Sequence, residues 1–239
     1  MIIDLHSHIL PGVDDGAMSM EDAVEMASMA AQSGIRKIVA TPHYQHGSST
    51  SVEALNDAFL ALSSALKYEH IDVALERSME IMATNELPEL LQNGKVWTYP
   101  NSTYFLVEFD FDEEQDYFDW LLDRCVAVGF TPVIAHPERY RAVKHCPEMA
   151  QRWQKKGYGV QINRDSLLGL FGENDFYCAD LLLKKGWANC IASDAHTPRF
   201  RNPHWGEAFM QLPKVYGFRT LAYCLETVPE RILGNIPLV

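Results

Sequence analysis

Residues 131–139 read Thr131-Pro132-Val133-Ile134-Ala135-His136-Pro137-Glu138-Arg139, a short β-branched, apolar run that ends in an imidazole. The same figure recurs along the chain. Ile2–Leu5 ends at His6, Ile35–Ala40 leads into Thr41-Pro42-His43, and Ile71–Leu75 runs on toward Met79-Glu80-Ile81. Tyr104–Val107 ends at Glu108, Tyr158–Ile162 at Asn163, and Cys190–Ser193 at Asp194. Near-continuous apolar runs suit parallel strands buried on both faces, where alternation is lost.

Helical stretches separate these runs. Ser19 stands three residues before Asp22 in a capping-box arrangement, Ala23, Ala27, Ala30 and Ala31 follow at helical spacing, and Gly34 closes the turn. Val52–Leu66, Asn85–Gln92, Tyr117–Val128, Glu148–Lys156, Phe176–Lys185, Trp205–Val215 and Arg219–Leu225 are expected to be helical, four of them stopped by Gly94, Gly129, Gly157 and Gly186. Alternating strands and helices predict an α/β fold with a parallel sheet. Periodicity does not separate an open sheet from a barrel. Polar, metal-competent residues at nearly every strand end favour a barrel, which gathers its site at the C-terminal ends of its strands.

The bulk composition narrows the chemistry. The 239 residues carry a net charge of −12, which disfavours nucleic acid as a partner and calls for a local cation if the ligand is anionic. The five cysteines are scattered and never spaced C-x-x-C, so neither a disulfide framework nor a zinc knuckle is expected. Asp4 and His6 stand where a leader would need an apolar run, and no run approaches the roughly 18 residues of a membrane span, so a cytoplasmic protein without membrane insertion is expected.

Nine side chains are candidate metal ligands: His6, His8, Asp15, His43, Glu80, Glu108, His136, Asp194 and His196. His6 and His8 are two apart, as are Asp194 and His196, so on a strand each pair shares a face. Gathering these charges in one place is costly unless cations compensate them. Imidazole and carboxylate with no thiolate suit manganese, iron or zinc. Asp14 competes with Asp15 for the ligand position.

At this point a family resemblance becomes specific. Asp4-Leu5-His6-Ser7-His8, Thr41-Pro42-His43, Ile134-Ala135-His136-Pro137-Glu138-Arg139 and Ser193-Asp194-Ala195-His196 resemble motifs of the polymerase-and-histidinol-phosphatase (PHP) superfamily. His8-Ile9-Leu10-Pro11-Gly12-Val13-Asp14-Asp15-Gly16 narrows the likeness to its bacterial capsule- and exopolysaccharide-associated (CpsB/CapC-like) tyrosine phosphatases, as do Glu80-Ile81, Val107-Glu108-Phe109 and Gln161-Ile162-Asn163. The segment Arg77-Ser78-Met79-Glu80 departs from the small, glycine-containing run expected at that position.

The resemblance covers nearly the whole chain. It implies one domain over 1–239, folded as a distorted (β/α)7 TIM-like barrel with three divalent metal ions, manganese (Mn2+) in this group. It also implies that His6, His8, Glu80 and Asp194 hold the first ion, that Glu80, Glu108 and His136 hold the second, and that Asp15, His43 and His196 hold the third. Arg139 and Arg201 match family arginines and suit bidentate contact with phosphate. Arg141 and Arg199 are their rivals. The implied activity is hydrolysis of phosphotyrosine in protein, on a membrane-associated tyrosine autokinase controlling capsule or exopolysaccharide assembly.

Three other readings compete. His145-Cys146 through Arg152 fits the H-C-x5-R spacing of cysteine-based phosphatases, although Pro147 removes a backbone donor and the loop lacks glycine. A small phosphomonoester such as histidinol phosphate is an alternative substrate. A non-catalytic metal-holding regulatory module is the third. Gln45–Ser51 reads as an exposed connector or a lid, and Tyr44 as a packing residue or a ring for the substrate to stack on.

Overall fold

The computed structural model describes residues 1–47 and 49–239. The described residues include nine strand segments: β1 (Ile2–Ser7), β2 (Ile35–Ala40), β3 (His43–Tyr44), β4 (Ala74–Arg77), β5 (Glu80–Met82), β6 (Tyr104–Glu108), β7 (Thr131–Ile134), β8 (Gly159–Asn163) and β9 (Cys190–Ala192). All pairs are parallel, in the orders β1-β2-β4 and β3-β5-β6-β7-β8-β9.

The nine segments form seven staves. β2 and β3 are one stave broken at Thr41-Pro42, and β4 and β5 another broken at Ser78-Met79. The breaks align: Ser78 N donates to Ala40 O at 2.8 Å and Glu80 N to Pro42 O at 3.0 Å. Proline supplies no N–H, so the ladder can be interrupted there without a lost donor. The ring closes between β9 and β1, through a parallel bridge of Ser7 to Ala195, Asp194 N to His6 O at 2.9 Å, and His8 N to Ala195 O at 2.8 Å. The seven-stave α/β barrel expected from the sequence is present.

Helices return the chain between staves. The Met20–Gln32 helix starts as its sequence predicts, with Ser19 Oγ accepting from Asp22 N at 3.2 Å. Trp153 and Phe118 are fully buried between helices and sheet, while Leu5, Leu106 and Val133 belong to a separate inner cluster with Val228 and Ile232. No described helix is long and apolar enough to cross a membrane.

Several boundaries differ from expectation. β4 begins at Ala74 rather than near Ile71, and the segment after it lies in the barrel as β5. Short helices fill what reads as loop: Arg141–His145 and Arg164–Leu167. The C-terminal helix expected to end near Leu225 continues through a π-turn, Tyr223–Thr227, into Val228–Leu233. Pro229 lies in the first turn of that last helix, where a missing N–H is harmless. The Gln45–Ser51 connector falls partly outside the described residues.

Candidate metal centre

Parallel strands deliver their C-terminal residues to one rim. His6 lies near the end of β1, Glu108 and Asn163 end β6 and β8, and His136 and Asp194 follow β7 and β9. The β1–β2 register slips between Asp4 and Ser7, a bulge of the kind that re-aims side chains. Beyond it both imidazoles converge, with His6 Nε2 and His8 Nε2 3.1 Å apart.

Those two nitrogens face Glu80 Oε2 at 3.3 and 3.2 Å and Asp194 Oδ1 at 3.4 and 3.4 Å. Five of the six separations among these four atoms therefore fall between 3.1 and 3.4 Å. Neighbouring donors about 3.3 Å apart suit a divalent transition ion with bonds of about 2.0 Å. Glu80 Oε2 and Asp194 Oδ1 are buried and accept no hydrogen bond. Two orphaned carboxylate oxygens beside two imidazole nitrogens make a donor set that fits a cation.

The ring orientations are fixed from behind. His6 Nδ1 meets Gln161 Oε1 at 2.9 Å, and His8 Nδ1 meets Asp14 Oδ2 at 2.9 Å, so each Nδ1–H donates outward and each Nε2 faces the carboxylates. Gln161 passes an N–H to Asn163 Oδ1 at 2.8 Å, and Asn163 donates to Asp194 Oδ2 at 2.6 Å. Asp14 also accepts from His43 N at 3.0 Å and Gly16 N at 2.9 Å. Asp14 thus stands behind His8, while Asp15 Oδ1 lies 3.5 Å from both His43 Nε2 and His196 Nε2.

Glu80 reaches the second side of the cluster. Its Oε1 lies 2.9 Å from His136 Nε2, which is 3.5 Å from Glu108 Oε1. His43 stands between neighbouring groups: its Nδ1 is 3.0 Å from Glu80 Oε2 and 3.5 Å from Glu108 Oε2, while its Nε2 faces Asp15. Donor atoms of His8, Asp15, His43 and His196 lie within 4.8 Å of one another, as do those of His6, His8 and Asp194 and those of His43, Glu80 and Glu108. All nine side chains singled out in the sequence meet here. The double placement of His8 and His43 was not legible there.

Charge is distributed unevenly over the cluster. Burial works against ionising Glu80 and Asp194, but the charge of His6, joined by that of Arg201 at Asp194, holds both well below the carboxylate range. Burial and the charge of Glu80 push Glu108 up. Burial opposes Asp14 too, yet its bond to His8 brings it down to about 2. Burial and the charge of His8 lower His196 to about 3.

A cavity of about 450 Å³ opens on the cluster, lined also by Tyr44, Met82, Phe111, Arg139 and Arg201. Arg201 pairs with Asp194 Oδ2, and Arg139 Nη1 is 3.9 Å from the same oxygen. The Arg139 guanidinium lies over Phe111 at 4.4 Å, and Phe171 touches both arginines, at 5.1 and 5.6 Å. Arg199 does not line this cavity, and Arg141 pairs with Asp112 and Glu114 on the surface. His136, Asp194 and Arg201 all have positive φ (30°, 51° and 49°). Non-glycine residues in that region are costly and collect at functional sites.

Arg164 was missed in the sequence. Its buried guanidinium binds Asp165 Oδ1 at 2.6–2.8 Å and donates to Asn202 O at 2.7 Å and His204 O at 2.9 Å, which pins the segment carrying Arg201. Arg164→Lys keeps the charge but cannot span both carbonyls and Asp165. It is expected to raise KM about tenfold with little change in kcat, the loss of one or two charge-assisted hydrogen bonds. Steady-state kinetics would check this, and an unchanged KM would remove Arg164 from that role.

Cys146 lies outside the cavity, with its thiol 3.8 Å from Glu148 Oε2, and Arg152 turns to Asp119. Burial pushes Cys125, Cys178 and Cys224 up to about 12. No described cysteine sits in an anion cradle.

The family model for capsular polysaccharide synthesis proteins, CpsB/CapC, matches residues 2–234. Tyrosine-protein phosphatase YwqE of Bacillus subtilis is 35% identical over 98% of this chain and 92% of its own. Tyrosine-protein phosphatase CpsB of Streptococcus pneumoniae is 29% identical over 97% and 98%. A crystal structure from work on YwqE and CpsB, described as unique metal-dependent tyrosine phosphatases, superposes with a TM-score of 0.91 at 34% identity, over 100% of this chain and 96% of that one. Histidinol phosphate phosphatase from Lactococcus lactis shares the fold at a TM-score of 0.55 and 13% identity, over 92% and 93%. The sequence match spans all seven staves and every residue of the cluster, and on that ground the chain belongs to the CpsB/CapC family of capsular polysaccharide synthesis proteins.

Proposed function

We propose that this chain is a metal-dependent protein-tyrosine phosphatase acting on phosphotyrosine in protein, with residues 1–239 as one metallophosphatase domain. The observation that carries this reading is the convergence of His6, His8, Glu80 and Asp194, five of whose donor separations are 3.1–3.4 Å, with two orphaned carboxylate oxygens. The phosphatase names of the relatives support it.

Those four residues would hold a first ion. Glu80, Glu108 and His136 would hold a second, and Asp15, His43 and His196 a third, with manganese as the metal. When bound, divalent ions supply Lewis acidity, neutralising phosphoryl oxygens and acidifying water for in-line attack. The chain's own residues do the rest. Gln161 and Asp14 fix the tautomers of His6 and His8. Arg139 and Arg201 line the cavity and offer N–H groups to phosphate oxygens. Phe111 supplies an apolar face beside them. The departing tyrosinate has a conjugate-acid pKa of about 10, so no strong general acid is required.

The substrate proposed is a tyrosine autokinase controlling capsule or exopolysaccharide synthesis, met in the cytoplasm. The test is metal analysis of the purified protein with phosphotyrosine-peptide turnover before and after chelation. Turnover is expected to disappear with the metal and return with manganese, while Cys146→Ser keeps wild-type rates. A chelator-resistant activity lost in Cys146→Ser would overturn the reading. A higher kcat/KM on histidinol phosphate than on the peptide would move it to a small-molecule substrate.

A further inference from the structure

A second cavity, of about 380 Å³, lies beside the first. The two share Arg201, and Phe171, which lines the second, packs against Arg139 and Arg201 of the first. At about 3.3 Å per residue, an extended chain with one side chain in the first cavity is long enough to lay its neighbours across that shared wall.

The chemistry of this groove is specific. Arg164 is engaged by Asp165, and Arg201 by Asp194. Arg199 is the arginine of the lining that has no carboxylate within ion-pair distance among the described residues. Of the groove's acids, Asp165 is neutralised by Arg164, and Glu207 accepts from Gln211 at 2.8 Å. Phe200 and Leu170 stand beside Arg199 with 80% and 66% of their surface exposed. A free guanidinium flanked by two uncovered apolar side chains, in a chain of net charge −12, is an isolated basic and greasy spot on an acidic surface.

We propose that this groove seats the residues flanking the phosphotyrosine of a protein substrate, and that Arg199 selects an acidic residue there while Phe200 and Leu170 cover an apolar one. The inference rests on the phosphatase reading above and adds a determinant of which phosphotyrosines are preferred. Arg199 lies outside the reacting centre, so it acts on peptide binding and leaves the chemical step alone.

The experiment compares kcat/KM on two phosphotyrosine peptides that differ only in an acidic or neutral residue within two positions of the phosphotyrosine. p-Nitrophenyl phosphate serves as the flank-free substrate. The manganese-loaded wild type is expected to prefer the acidic peptide about two- to fivefold, the range of an exposed ion pair. Arg199→Ala should erase that preference, Arg199→Glu should reverse it, and Phe200→Ala should raise KM for both peptides. Turnover of p-nitrophenyl phosphate should be unchanged in all three. A wild type indifferent to the flank, or an Arg199→Ala that keeps the preference, overturns the assignment. Equal losses on peptide and p-nitrophenyl phosphate overturn it as well, because they place Arg199 in the reaction. A wild type that cleaves the aryl phosphate and neither peptide defeats the protein-phosphatase reading itself, and the groove assignment with it.

Discussion

Glu80→Gln is expected to lower kcat on a phosphotyrosine peptide by about 10³-fold or more, at the upper end of what losing one preorganised electrostatic partner costs. The two carboxylate oxygens of Glu80 reach different members of the cluster. Oε2 faces His6, His8 and His43 at 3.0 to 3.3 Å, and Oε1 faces His136 at 2.9 Å. Glutamine has the same shape, so the barrel should close as before. It removes one of four carboxylates from the cluster and turns an N–H toward cations that need an oxygen ligand. Two of the three proposed ions lose a ligand in one step, so the variant should also bind substoichiometric metal after dialysis against manganese. Metal content, circular dichroism and single-turnover kinetics together separate loss of ions from loss of fold. Wild-type kcat at full metal occupancy would show that Glu80 is not the shared ligand.

The same residue shows how far the sequence could be read. The departure at Arg77-Ser78-Met79 put its register in question, because nothing in a linear pattern says that a stave breaks and resumes. The break is set from across the sheet, where Pro42 interrupts the neighbouring stave and offers its carbonyl to Glu80 N. His43 and Glu80 then pair in register. The strand ends themselves were legible, since parallel strands buried on both faces must be apolar until they reach the rim. The arginines were only partly so. Four candidates lie within reach of the two motifs, and it is the turn geometry, with Arg201 at positive φ, that sends one side chain into the cavity and its neighbour Arg199 into the adjoining groove.

The supports behind the cluster were the least legible. Gln161 and Asn163 were read as motif letters, but their relay to His6 and Asp194 depends on β8 lying next to β9, with Asn163 paired to Ala192. Phe111 stands alone among Asp110, Asp112, Glu113 and Glu114, an apolar residue in an acidic loop, and that contrast was a usable signal. Arg164 gave none. A basic residue one past a strand end is ordinary until the Asn202 and His204 carbonyls are seen to converge on it.

Gly16 carries the second large effect, and here the reason is space rather than backbone freedom. A Cβ at this position would lie 2.0 Å from His8 O and 2.5 Å from His8 Cβ, separations no real pair of atoms tolerates. Neither neighbour can swing aside. His8 O already accepts from Ala17 N at 3.0 Å, and the His8 ring is held by Asp14, whose other oxygen accepts from Gly16 N. The added methyl must therefore displace the His8 backbone and the Asp14 brace together. Gly16→Ala is expected to cost about 1–3 kcal/mol of stability, the usual range for overpacking a closed site. At about 2–4 °C per kcal/mol for a chain of this size, Tm should fall by roughly 2–12 °C. Activity should suffer more than stability, by about 10²-fold, because a shift of about 1 Å in a positioned group is enough for that loss. The decisive readout is metal affinity at a temperature well below the lowered Tm. A folded Gly16→Ala protein should bind manganese more weakly in titration, through the moved His8, and lose kcat in parallel. A variant with wild-type manganese affinity and wild-type turnover would mean that the His8–Gly16 loop gives way freely, and that the close approach seen here does not hold His8 in place.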